Sequence, residues 1–233
     1  VKTILVCTAR IDPGLELVQG RLLDLLDDAE RASAARFAFE IHRRSYIAAH
    51  ALKRLALSMA EPRRPADWRF DPGPWGKPRV RSVPDLHFNI SHCPGLVCCA
   101  VAKTLEVGVD VEQVRLAPPF EIAPSVFSAS ERRWLQDLPA AERPRGFCRL
   151  WTLKEAFVKA SGRGLTQQLT DFSFFFEPLR VSFCDPALGD SGKWCFHQRA
   201  ADDAHFLALA WYGAADAVVE WRPVSPADLL AGA

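Results

Sequence analysis

Residues 108–112 of this 233-residue chain read Gly-Val-Asp-Val-Glu, two carboxylates separated by one apolar residue. On a strand, alternate side chains share a face, so Asp110 and Glu112 point one way and Val109 and Val111 the other. Acids about 7 Å apart on one face repel each other unless a cation lies between them. Mg²⁺ suits such a pair, because it takes one or two carboxylates and completes its shell with water and phosphate oxygens. An exposed strand edge with two solvated acids has the same pattern. In an acidic cluster, Asp110→Ala is expected to leave the metal-free fold as stable as before or more so, because repulsion is relieved.

Residues 151–165 read WTLKEAFVKASGRGL. Trp151, Glu155 and Lys159 recur at i, i+4, i+8 and form one helical stripe, while Leu150, Leu153 and Phe157 suit a core-facing stripe. Glu155 can supply a third metal-directed carboxylate, and Lys154 and Lys159 can meet phosphate oxygens. An ordinary surface Glu–Lys pair, worth about 0.2–0.5 kcal/mol, is the competing interpretation. The neighbouring Trp and the Gly-x-Gly terminus make the stretch more specific than that.

Three weaker signals lie upstream. In Phe88-Asn89-Ile90-Ser91-His92, Asn89 and Ser91 face away from Ile90, and His92 ends the strand beside a Cys-Pro-Gly turn, an arrangement suited to an anion. Gly76-Lys77-Pro78 follows Trp75 and is not a P-loop, since G-x-x-x-x-G-K-[ST] is absent. Arg43 and Arg44, with Arg36, are candidate phosphate ligands.

The elements that must hold these residues follow from periodicity and punctuation. A first strand covers Ile4 and Val6. Asp12-Pro13 opens a helix with Leu15, Val18, Leu22, Leu25 and Leu26 at helical spacing. Asp28 caps a short helix through Arg36. A long helix runs from Glu40 to Met59, with Ile47, Ala51 and Leu55 on one face, and Pro62 and Pro65 close it. Residues 71–79 form a Pro/Gly-rich loop. Strands follow at 87–92, 96–103 and 106–113. Ser128 and Glu131 have capping-box spacing, and a helix from Arg145 to Ser161 ends at Gly162 and Gly164. The remainder reads as strands at 171–177, 180–184, 193–199, 205–212 and 218–222. Helices therefore run into strands twice, which predicts an α+β fold of two similar halves, 1–107 and 108–233, with a seam near 104–108.

Composition is ordinary for a globular chain: 49% hydrophobic, 24% charged, net charge +1. A charge-driven nucleic-acid binder is far more basic. No apolar run is long enough for a membrane span. The opening VKTILVCTARIDPG reaches Arg10 and Asp12 too soon for a signal peptide's apolar region. Seven cysteines without a C-x-x-C pair argue against a zinc site or disulfide framework; Cys98 and Cys99 read as core residues, and the expected location is cytoplasmic. Charge is uneven: residues 1–107 hold 16 Lys/Arg against 12 Asp/Glu, and residues 108–233 hold 13 against 16. The basic excess is sharpest at 31–64. One half is suited to an anion and the other to a cation, although a solvated helix surface gives the same count.

Taken in order, GKP at 76–78, FNISH at 88–92, GVDVE at 108–112 and WTLKEAFVKASGRGL at 151–165 resemble the 4′-phosphopantetheinyl transferases of the Sfp type. The match covers about residues 75–165. Members of that family often carry an Asp-Arg-x-Arg-like run where this chain has His42-Arg43-Arg44-Ser45, which leaves two arginines for one phosphate. Lysines before Phe37 are replaced here by Glu30, Arg31 and Ser33. The resemblance implies two α+β halves in pseudo-twofold arrangement within a monomer, with the site between them. It implies coenzyme A as donor and a serine of an acyl or peptidyl carrier protein as acceptor, in fatty-acid, polyketide or nonribosomal-peptide assembly. The products are holo-carrier and adenosine 3′,5′-bisphosphate. It implies Mg²⁺ held by Asp110, Glu112 and Glu155, with Glu155 and Lys159 catalytic. Arg43, Arg44, Lys77, Ser91, His92, Asp110, Lys154 and Lys159 would meet the donor. The alternative is a Mg²⁺-dependent phosphoesterase or nuclease, which clustered acids and a lysine would also serve.

Overall fold

The structure, a computed structural model, describes residues 1–11 and 19–231. The predicted helix start at Asp12-Pro13, with Leu15 and Val18, lies outside the described residues. The first half runs β1 (Thr3–Arg10), α1 (Gln19–Leu25), α2 (Asp28–Ala35), α3 (Glu40–Ala60), a hairpin of β2 (Phe70–Pro72) and β3 (Pro78–Val80), then β4 (Leu86–Cys93) and β5 (Leu96–Lys103). The second repeats that order: β6 (Val107–Gln113), α4 (Ala123–Val126), α5 (Ala129–Asp137), α6 (Arg143–Ser161), a hairpin of β7 (Phe172–Phe176) and β8 (Leu179–Phe183), then β9 (Trp194–Ala200) and β10 (His205–Tyr212). Sheet order repeats too, as β1–β5–β4 and β6–β10–β9, all antiparallel. The α+β fold of two similar halves is therefore visible in topology even where sequence similarity between the halves is not.

Strand alternation sorts the cores. Cys99 and Val101 face Ala48, Ala51 and Leu52 of α3, while Cys98 and Ala100 face Val107, Val109, Leu207 and Leu209 of the other sheet. The two sheets meet face to face, with α3 covering the outside of one and α6 the outside of the other. Gly108 permits the close seat of α6: a Cβ there would lie 2.1 Å from the Ala156 carbonyl oxygen and 2.3 Å from the Ala160 nitrogen. The Gly162 cap is left-handed (φ 70°), and its N–H donates to the Val158 carbonyl. Ser128 and Glu131 form the capping box read from sequence; Asp27, rather than Asp28, caps α2, with Glu30 reciprocating.

One segment departs from a division at residue 107. After β10 the chain returns to the first sheet, where β11 (Val218–Pro223) pairs parallel with β1, and Val224 and Leu229 enter the core under α3. Leu229 belongs to α7 (Pro226–Ala231). The C-terminal segment thus ties the second half to the first.

Candidate active site at the seam of the two halves

β6 is an edge strand of its sheet, and its outer backbone groups must find partners. Side chains of β4 provide them. Asn89 Oδ1 accepts the Val109 N–H at 2.8 Å, and Ser91 Oγ accepts the Val111 N–H at 3.3 Å. The FNISH motif therefore laces the halves together through the two side chains that alternation turned away from Ile90. Ser91 Oγ also donates to Asp110 Oδ1 at 2.7 Å. Lys159, from α6, donates to Asp110 Oδ1 at 2.6 Å, to Ser91 Oγ at 3.1 Å and to the Val109 carbonyl at 3.3 Å. Burial alone would lower the Lys159 pKa, but the Asp110 carboxylate more than compensates and raises it.

The acids sit as period two and the helical stripe require. Val109 and Val111 are fully buried between the sheets, while Asp110 and Glu112 face α6. Glu112 Oε1 accepts from Trp151 Nε1 at 3.3 Å. Burial first, and then the Asp110 charge, push the Glu112 carboxyl up to about 7; the same two causes raise Glu155. Asp110 Oδ2 is buried with no hydrogen-bond partner. An orphaned carboxylate oxygen beside two acids whose charge is disfavoured fits a hard cation bound through oxygen. Among the described residues, no three His, Cys, Asp or Glu side chains meet at one point around an ion, and the cation now nearest Asp110 is the Lys159 ammonium.

Two clefts open here and share Glu155 and Lys159. One, of about 400 Å³, has Asp110, Glu112 and Trp151 on one side and Tyr46, His50, Ile90 and His92 on the other. The second, of about 480 Å³, runs past Trp75, Lys77, Asn89, Gly162, Gly164 and Gln167. Partial burial, helped by the charges of Lys159 and His42, holds the His92 pKa below its usual value. Of the residues expected from sequence, Ser91, His92, Asp110, Glu112, Glu155 and Lys159 converge on the first cleft, and Lys77 lines the second.

Lys154 does not join them. It is fully buried, paired with Glu131 at 2.9 Å and bonded to the Phe172 carbonyl at 2.8 Å, so its expected contact with phosphate is corrected to a structural role. Positions 150, 154 and 157 share a helix face, which places Lys154 with the core stripe rather than with Glu155. Arg43 and Arg44 lie outside the lining of both clefts, each paired with Glu40 at 3.3 Å. Sequence reasoning passed over Tyr46 and His50, whose rings stack with centroids 4.0 Å apart. Their spacing from Arg43 (i+3, i+7) was the available signal. Asn89 was seen to face the right way, but its service to the β6 edge depends on a long-range contact.

The sequence profile of the 4′-phosphopantetheinyl transferase superfamily matches residues 106–210, which include both acidic motifs. The 4′-phosphopantetheinyl transferase HetI of Nostoc sp. is 31% identical over 217 residues, covering 90% of this chain and 87% of that protein. The chain belongs to the 4′-phosphopantetheinyl transferase family. It is accordingly an enzyme of the transferase class. The 4′-phosphopantetheinyl transferase Sfp of Bacillus subtilis is 31% identical over 66% of this chain and 67% of its own length. Among solved structures, a holo-[acyl-carrier-protein] synthase of Thermotoga maritima is similar over 47% of this chain and 64% of its own, with 26% identity and a TM-score of 0.38.

Proposed function

We propose that the seam clefts transfer the 4′-phosphopantetheine group of coenzyme A to a serine of an acyl or peptidyl carrier protein. The observation that carries this reading is the convergence of Asp110, Glu112, Glu155 and Lys159 where the halves meet. In the reaction, the serine oxygen attacks the β-phosphorus of the donor, and adenosine 3′,5′-bisphosphate leaves. The carrier serine gives up a proton; the donor's leaving phosphate gains negative charge.

Glu155 is assigned the proton. In the metal-free chain, burial first and then the Asp110 charge raise the Glu155 pKa, and its place beside Asp110 and Lys159 in the first cleft puts a carboxylate where the carrier serine's proton must go. Lys159 is assigned the leaving phosphate. Its raised pKa favours a lasting positive charge that stabilises the departing oxygens over a proton donor that must lose its charge. Asp110, Glu112 and Glu155 would hold Mg²⁺, which when bound supplies charge neutralisation at the pyrophosphate. Ser91 and His92 at one cleft and Lys77 at the other are assigned to nucleotide phosphates, and Arg43 or Arg44 to the 3′-phosphate. The more basic first half then serves the donor, and the more acidic second half serves the metal. Because both halves of the site come from one chain, a monomer suffices, and we place the enzyme in the cytoplasm with no nucleic-acid or membrane partner. No helix among the described residues is long and apolar enough to cross a membrane.

The phosphoesterase or nuclease alternative rests on no residue that the transferase reading leaves over. Product analysis separates them. Chain, coenzyme A and Mg²⁺ should form adenosine 3′,5′-bisphosphate only when an apo-carrier is present, one molecule per carrier modified. Equal product without carrier would favour hydrolysis.

A further inference from the structure

Glu106 lies just before β6 and gathers three basic side chains. Lys77 Nζ donates to Oε2 at 2.7 Å, His87 Nδ1 lies 3.2 Å from Oε1, and Arg79 Nη2 lies 3.9 Å from Oε1. The His87 hydrogen bond is the main cause holding the Glu106 carboxyl at about 2, and Lys77 acts in the same direction. Lys77 also donates to the Val107 carbonyl at 3.0 Å. An ammonium has three donors. Two of these are committed to acceptors fixed at the start of the GVDVE strand, and the Lys77 side chain lines the second cleft beside Gly162, Gly164 and Gln167. Lysine otherwise carries its charge on a flexible four-carbon stem. Here the stem is clamped, with only 15% of the side chain exposed.

We propose that Glu106 is a positioning residue for the donor: it fixes the Lys77 ammonium on the cleft wall so that its remaining N–H meets a phosphate oxygen of the nucleotide. This rests on the assignment of Lys77 to donor phosphates made above. The anchoring is electrostatic as well as geometric. Burial lowers the Lys77 pKa, and Glu106 opposes that effect, so the carboxylate also keeps the cation charged. Glu106 is itself held by His87 and Arg79, so it acts as a fixed anchor rather than as a rival anion that donor phosphate displaces.

The test is steady-state kinetics on the full chain at saturating apo-carrier, varying coenzyme A. Glu106→Gln should raise the KM for coenzyme A about tenfold and leave kcat within about twofold, because a ground-state contact persists through the transition state. In a Lys77→Ala background the same substitution should add nothing to KM, since the two act as one unit. Glu106→Asp, which keeps the charge, should recover part of the loss. If Lys77→Ala leaves the KM for coenzyme A unchanged, the placement of Lys77 at the donor is wrong and the positioning role falls with it. If Lys77→Ala raises KM but Glu106→Gln leaves it unchanged or lowers it, the positioning role alone is overturned. A fall in melting temperature with no selective change in KM would likewise overturn it, as a purely structural contact.

Discussion

Asp110→Ala separates two opposed views of the acidic cluster. Sequence reasoning alone expects relief of repulsion and an unchanged or higher melting temperature without metal. The structure reverses the sign. Asp110 Oδ1 receives both Lys159 and Ser91, and Asp110 is nearly fully buried. Removing one partner of a buried ion pair costs about 3–5 kcal/mol, because the other charge stays behind unpaired. Two effects reduce this. The Lys159 side chain keeps 27% of its exposure and can be hydrated, and Glu112 and Glu155 are freed of a neighbouring negative charge. A net loss of about 1–3 kcal/mol follows, below the range for a fully buried pair. At about 2–4 °C per kcal/mol for a chain of this size, the melting temperature should drop by about 2–12 °C. Differential scanning calorimetry in chelator measures it. As an internal check, the Glu112 titration, followed by carboxyl-carbon NMR, should move down from about 7, because Asp110 is one of the two causes holding it up. An unchanged or raised melting temperature would refute the claim that the Lys159 pair outweighs the repulsion.

Three further perturbations test other links. Glu112 titrates at about 7 in the folded chain against an ordinary 4.5 unfolded. The folded state therefore binds the extra proton between those values, and metal-free stability should fall as pH rises through that window. Melting scans from pH 5 to 8 should show the fall, Glu112→Gln should flatten it, and Glu155 adds to it in the same direction. Lys154→Ala leaves Glu131 buried without its counter-charge, although the Ser128 and Phe174 N–H groups still donate to it, so the variant should lose about 3 kcal/mol, toward the low end of the range for breaking a buried pair, in denaturant unfolding while the folded fraction keeps its KM for coenzyme A. Gly108→Ala pushes a methyl into the α6 backbone; about 1–3 kcal/mol of overpacking and slower transfer should appear together, the second because Asp110 shifts against Lys159.

Local periodicity carried much of the site. Period two put Asp110 and Glu112 on one face, the i, i+4, i+8 stripe brought Glu155 and Lys159 to them, and the twofold run of helices into strands foretold the two halves. Lys154 pairs with Glu131 and not with phosphate, as its position with Leu150 and Phe157 on the core stripe requires. Glu40, one turn before Arg43 and Arg44, offered a partner for both. Other features had no local signal. The Glu131–Lys154 pair spans two helices, Asn89 and Ser91 each serve a backbone group twenty residues away, and β11 returns to β1 across nearly the whole chain. Such contacts depend on how elements pack, and no window of sequence contains both partners. The two views of Asp110 differ for the same reason: its repelling neighbour Glu112 is local in sequence, and its ion-pair partner Lys159 is not.

The central claim is that the seam cluster performs the transfer, and Glu155→Gln tests it most directly. Gln keeps the shape and hydrogen bonding of Glu but removes its charge and basicity. Apo-carrier incubated with coenzyme A and Mg²⁺ is followed by mass spectrometry, with melting curves confirming that the variant is folded. The wild-type chain should add one phosphopantetheine per carrier, and Glu155→Gln should do so about 10²- to 10⁴-fold more slowly, without recovery at higher Mg²⁺. Transfer by the folded variant at the wild-type rate would contradict the account.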